Sequence, residues 1–170
     1  MNVLAALVGQ YRAALNMLRQ AIESCPADLW DGGGDPVPFW RVVYHTIYGT
    51  HLYLHNDESS FRPWQKHREG HQELPWPESA ANPVADPYSK SEMLEYWALI
   101  TDGLDGAINR LDLDAAECGF PWHKTQSKLE HQIHNIRHIQ HHTAILSARL
   151  RRAAGVDVRW VRSREEVYQA

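Results

Sequence analysis

Eleven histidines in 170 residues set the first question, because imidazole is the commonest metal ligand and the side chain that titrates near neutrality. Four histidine pairs stand four residues apart: His51/His55, His67/His71, His134/His138 and His138/His142. On a helix, residues four apart lie one turn up and about 40° round, so both rings can reach one ion. A histidine-rich chain produces such pairs by chance, so spacing alone does not choose among them. Three neutral imidazoles would leave an ion with an open coordination position, as a catalytic zinc is held, in contrast to the closed set of a structural zinc. Imidazole also accepts nickel, copper and iron. No Ser-His-Asp or Cys-His arrangement offers a protein nucleophile.

Four long stretches have the period of helices that could carry these rings. The first, about Asn2 to Ser24, repeats Leu4, Leu7, Val8, Tyr11, Leu15, Leu18 and Ile22 at helical spacing, and Pro26 follows its end. Trp30-Asp-Gly-Gly-Gly-Asp-Pro36 reads as a loop. The second helix is predicted from Pro38, a residue well tolerated in a first turn, to about His55. Asn56 to Pro87 holds five prolines together with Trp64 and Trp76, and reads as a long irregular connection forming an ordered cover. Ser89-Lys-Ser-Glu92 is a capping box opening a third helix, whose apolar positions run from Met93 to about Leu111. Ser127-Lys-Leu-Glu130 is a second capping box, and the helix it opens is expected to stop at Gly155, a residue that accepts positive φ. The fold class is therefore all-α, most simply a four-helix bundle over residues 1–155. The tail, 156–170, carries an apolar alternation of Val156, Val158 and Trp160, and is expected to pack on the bundle or on a partner.

Helical angle then discriminates among the histidines. On the fourth helix, Leu129, Ile133, Ile136, Ile139, Leu146 and Leu150 form an apolar stripe, and Glu130, Arg137, His141 and Arg151 a polar one. At about 100° per residue, His138 and His142 fall at the margin of the apolar side beside Ile145; His134 lies further out, and His141 further still. On the second helix His45 shares a face with Val42, Gly49 and Leu52, and Gly49 leaves space beside it, whereas His51 and His55 lie nearly opposite, beside Tyr44 and Tyr48. His67 and His71 sit in the long connection with no helical frame. Side chains pointing inward from facing helices are how bundle metal sites are built. The predicted ligands are His45, His138 and His142.

These segments resemble a known family. Pro38-Phe39-Trp40-Arg-Val-Val-Tyr-His45 is similar to the second-helix histidine segment of the DinB/YfiT-like superfamily of metal-dependent enzymes. His138-Ile-Gln-His141-His142, followed by Leu146 and Leu150-Arg-Arg-Ala-Ala-Gly155, resembles its last-helix motif. The element order is similar over roughly Met1 to Gly155. The resemblance implies a four-helix bundle with a three-histidine site for zinc or nickel on His45, His138 and His142, and often a homodimer. It also implies a small-molecule substrate: some relatives use low-molecular-weight thiols in transfer or isomerase reactions, and others are described as hydrolases. One departure is the run Thr143-Ala144-Ile145, where many members carry arginine-glycine-glutamine.

Composition narrows the function. The formal charge is −4, with acids and bases interspersed and no basic block, so nucleic acid is not an expected partner. No stretch is long and apolar enough to cross a membrane, so no membrane association is expected either. The first ten residues faintly resemble a signal peptide but lack its leading positive charge. Cys25 and Cys118 are expected to be small buried side chains, which fits a cytoplasmic protein. The leading expectation is a metal-dependent enzyme, a thiol-dependent transferase or a hydrolase. Its candidates for a proton-transfer partner are His141, His134 and Tyr48, and Trp40, Trp64, Trp76 and Trp97 are candidates to line a pocket or simply to pack the core. The alternative is a non-catalytic metal-binding or interaction protein whose metal is structural.

Overall fold

A computed structural model of the chain describes residues 2–32, 34–74 and 86–162. Its regular elements are helical throughout: α1 (Val3–Ser24), α2 (Ala27–Trp30), α3 (Phe39–Tyr53), α4 (Lys90–Asn109) and α5 (Lys128–Ala154). A 3-10 turn, Pro121–His123, precedes α5. Sequence periodicity did not anticipate that turn or the four-residue α2, because neither is long enough to display a period.

The helix ends follow from capping chemistry. The Asn2 side chain accepts from the Ala5 amide at 3.0 Å and starts α1, whose C-cap Cys25 precedes Pro26. Ser89 with Glu92, and Ser127 with Glu130, form complete capping boxes on α4 and α5. Gly155 closes α5 in the left-handed region, at φ 66°.

The four long helices pack in a ring. α1 and α3 each contact both α4 and α5, which places α1 across from α3. The core between them is apolar and aromatic: Tyr11, Leu15, Leu18 and Ile22 from α1, Val43 and Ile47 from α3, Tyr96, Ile100 and Leu104 from α4, and Ile139, Leu146 and Leu150 from α5. Cys25 and Cys118 are both free and buried. None of the helices among the described residues is long and apolar enough to cross a membrane.

Lys128 joins the end of α3 to the start of α5. A lysine in the first turn of a helix opposes the helix dipole, yet Lys128 is buried. Its ammonium donates to the carbonyls of His55, Asn56 (2.6 Å) and Cys118, so it meets the negative end of α3. Gly119 makes the approach possible: at φ 85° it is left-handed, and a Cβ there would lie 2.1 Å from the Asn56 oxygen.

The first part of the long connection is ordered against α3 and α4. Trp64 stacks on Tyr96, with ring centroids 4.7 Å apart, and His71 is buried against Trp40, Tyr44 and Tyr88. Trp76 lies outside the described residues. Beyond Gly155 the tail runs over α1. The Arg159 amide donates to Gln20 Oε1 at 2.9 Å, Gln20 Nε2 donates to the Arg159 carbonyl, and Val161 is buried beside Ala13 and Met17. Residues 163–170 of the tail lie outside the described residues.

Two histidines, the fully buried His131 and the half-buried His51, make the fold sensitive to acid. Burial lowers the pKa of His51 to about 4 and that of His131 to about 3, with neighbouring histidines acting in the same direction. In the unfolded chain both return to about 6.5, so below that pH the unfolded state binds more protons. Stability is therefore complete above pH 6.5 and falls as pH drops from there toward 4 and then 3. His131 is fully buried between Tyr53 and Phe120, and alone can contribute up to about 1.4 kcal/mol per pH unit in that window. Urea unfolding of metal-free protein at pH 7 and pH 5 is expected to show this loss, with a shallower loss in His131→Phe. Equal pH slopes in the two proteins would remove His131 as a cause.

Candidate metal centre

The face of α5 that meets α3 is lined by polar side chains. Gln132 and Asn135 are fully buried there. Gln132 Nε2 donates to the Tyr53 carbonyl at 2.9 Å, and its Oε1 accepts from the Tyr11 hydroxyl at 2.7 Å. Asn135 Nδ2 donates to the Thr50 carbonyl at 3.3 Å. These bonds fix the register of α5 against α3. His138 and His142 follow Asn135 by three and seven residues and therefore continue the same face. His45, one turn before Gly49, meets them from α3.

The three rings converge. Centroid separations are 5.0 Å for His45/His138, 4.7 Å for His45/His142 and 4.6 Å for His138/His142. One ring nitrogen from each lies within 4.8 Å of the others, and among the described residues this is the one such cluster of histidine, cysteine and carboxylate groups. His45 Nε2 and His138 Nε2 are 3.0 Å apart. Two nitrogens bound tetrahedrally at about 2.0–2.1 Å would stand roughly 3.3 Å apart, so the pair is already near the separation a shared ion requires.

Gly49 admits one of the three rings. A Cβ at that position would lie 2.9 Å from His138 Cε1, too close to be accommodated without displacing the ring. His45 is oriented from the long connection: its Nδ1–H donates to the Gln72 carbonyl at 2.7 Å, leaving the Nε2 lone pair toward the other rings. A backbone acceptor on the far nitrogen is the usual way a metal-binding histidine is held in one tautomer.

The electrostatics suit a cation. Burial lowers the pKa of all three rings, to about 2 for His138 and about 3 for His142, and the neighbouring imidazoles add to the effect in these two. For His45 burial outweighs the opposing bond to Gln72. The rings are therefore neutral at pH 7, the form that ligates metal. Nδ1 of His138 and Nδ1 of His142 are buried without a hydrogen-bond partner among the described residues. Three neutral imidazoles gathered at one point, with Nε2 of His45 facing Nε2 of His138, fit a divalent ion. No carboxylate belongs to the cluster, so an ion there would keep its full double charge.

A cavity of about 430 Å³ opens beside the rings. His45 and His142 border it, with Val37, Val42, Leu74 and Ile145 as its apolar walls and His141 and Arg149 at its rim. His141 is exposed, with its ring 5.0 Å from that of His142. His134 borders a separate hollow with His138 and His141, and Gln126 Nε2 lies 3.2 Å from its Nδ1.

Several expectations need correction. Tyr48 packs on Phe61 and His67, and no ring contact joins it to the trio among the described residues. Of the two readings given for the tryptophans, core packing holds for Trp40 and Trp64, Trp64 also bordering a separate hollow beside His51, and Trp97 donates to the Leu15 carbonyl at 2.8 Å; none of the three borders the cavity beside the trio. Ile133, assigned to the apolar stripe, is half exposed, and its neighbours His131 and Gln132 are the buried residues. His51 lies away from the trio, as its helical angle predicts, and packs against Tyr96, its Nδ1 3.0 Å from the hydroxyl. Gln72, Gln132 and Asn135 were not identified as supports of the site, because nothing in an amide's type or spacing marks it as buried.

Comparison of the chain with protein-family models, with curated proteins and with solved structures finds no match.

Gly49→Ala provides a test of the site's geometry. Alanine favours a helix over glycine by about 1 kcal/mol, so the metal-free variant is expected to unfold at a urea concentration equal to or above that of the wild type. The displaced His138 ring should lower zinc affinity at least ten-fold in competition with a chromophoric chelator. Unchanged affinity would show that His138 does not need the space beside Gly49.

Proposed function

We propose that this chain is a metal-dependent enzyme of the DinB/YfiT-like type, a four-helix bundle that holds one zinc or nickel ion on His45, His138 and His142. The observation that carries the reading is the convergence of three neutral imidazoles from two helices, His142 buried and His45 and His138 half-buried, with ring nitrogens within 4.8 Å of one another. The short motifs around His45 and from His138 to Gly155 support the family assignment. The reaction class that suits such a site is transfer to or from a small thiol, or hydrolysis, in a cytoplasmic homodimer.

A divalent ion with an open position supplies Lewis acidity, which brings the pKa of water down to about 7 and activates thiols and carbonyls. The chain's own residues supply the rest. The three imidazoles hold the ion without cancelling its charge. The apolar walls of the cavity exclude bulk water, which strengthens the field felt by a bound ligand. His141, exposed at the rim and next to His142, is placed to exchange a proton with solvent. The cavity is what favours catalysis over a purely structural ion: three protein ligands facing a cleft leave a position for substrate, whereas a structural site is closed by four.

Elemental analysis of untagged protein is the test. It should give about one equivalent of zinc or nickel per chain, lost in His138→Ala and retained in His134→Ala. A chelator should remove the ion and leave the helical circular dichroism largely intact. A His138→Ala variant that keeps its full metal content refutes the ligand assignment; a fold that melts on chelation favours a structural ion.

A further inference from the structure

The cavity beside His45 and His142 has a chemical direction. At one end are the two imidazoles; along its length are Val42 and Ile145; at the other end is Arg149. His142, Ile145 and Arg149 are spaced three and four residues apart, so they lie along one face of α5. Seven residues of helix place the Cα atoms of His142 and Arg149 roughly 10 Å apart along the axis.

Arg149 is held in place and is only partly neutralised. Nη1 donates to the Val37 carbonyl at 2.7 Å, and Nε lies 3.4 Å from Asp35 Oδ2. Asp35 also serves Arg152, whose Nη2 is 3.1 Å from both carboxylate oxygens. Two guanidiniums thus share one carboxylate, which leaves a surplus positive charge. Arg149 is the inner of the two, its side chain 12% exposed against 65% for Arg152. Nη2 of Arg149 has no hydrogen-bond partner among the described residues. A planar cation fixed by its own backbone contact, with free donors and a shortage of anions, is a carboxylate receptor.

We propose that the cavity binds a small organic anion whose acidic group pairs with Arg149 and whose apolar body lies over Val42 and Ile145. This orientation presents the opposite end of the ligand to the histidine cluster. The inference rests on the metal reading above for what that opposite end meets, but the anion site itself stands on Arg149 and the cavity. Arg149 is a binding residue here, and selects substrates by charge.

The test uses cobalt-loaded protein and two thiols of equal length, mercaptohexanoate and mercaptohexanol, with affinities read from the cobalt–sulfur absorption band. Mercaptohexanoate should bind at least ten-fold more tightly than the alcohol. Arg149→Gln should abolish that preference and leave the affinity for mercaptohexanol unchanged, whereas Arg149→Lys, which keeps the charge, should retain part of it. Equal affinities in the wild type would overturn the proposal. So would a loss for both thiols alike in Arg149→Gln, since that is what a merely structural contact to Val37 would give. If the protein takes up no cobalt, the metal reading fails instead. The anion site is then decided on metal-free protein by calorimetry with hexanoate and hexanol, where the same preference and the same Arg149→Gln effect are expected and their absence refutes it.

Discussion

The register of α5 against α3 is the constraint on which the candidate site depends. It is set by amide side chains that reach across the helix pair: Asn135 to the Thr50 carbonyl and Gln132 to the Tyr53 carbonyl. Both partners are backbone atoms near the C-terminal end of α3: the Tyr53 carbonyl is among the last, which lack partners within the helix, and the Thr50 carbonyl also accepts from the Leu54 amide. A slip of one residue would turn α5 by about 100° and carry His138 and His142 away from His45. The same end of α3 receives the Lys128 ammonium. Thus carbonyls at the end of α3 and just beyond it anchor both the start of α5 and the level at which its histidines cross the partner helix. Buried amides are costly when unpaired, so the pairing also selects against alternative registers.

Electrostatics follows from this geometry. Three imidazoles brought together out of water cannot all be protonated, because burial and mutual repulsion both disfavour charge. The result is a cluster of neutral donors without a counter-anion, beside a cavity whose far rim carries the surplus positive charge of Arg149 and Arg152 around Asp35. A cation added to such a site is balanced most readily by an anionic ligand from solution. The acidic chain thus holds a locally electropositive pocket, a distinction that net charge cannot reveal.

The helical architecture was legible in the sequence wherever a strong local rule applied. Two capping boxes, Pro38 and the left-handed Gly155 located the main helix ends to within a few residues. Apolar periodicity on α1 and α4 matched the buried residues Leu15, Leu18, Ile100 and Leu104. Angle on the helix also singled out His45, His138 and His142, which the structure brings together. Angle failed where hydropathy misled. His131, Gln132 and Asn135, which the apolar stripe leaves out, are fully buried, whereas Ile133, which it includes, is half exposed. The face of α5 toward α3 carries Gln132, Asn135, His138 and His142, so a hydrophobic stripe points slightly past it. Gln72 was beyond reach for a different reason: its contribution is a backbone carbonyl, which any residue at that position could supply.

X-ray absorption at the metal edge of zinc-loaded protein tests the convergence of the three rings most directly, because it counts and identifies the bound atoms. The expected spectrum has three imidazole nitrogens at about 2.0–2.1 Å, together with one lighter or exchangeable donor, and falls to two imidazoles in His45→Ala. A wild-type shell with sulfur ligands, or with a number of imidazoles that His45→Ala leaves unchanged, would contradict the placement of the ion between α3 and α5.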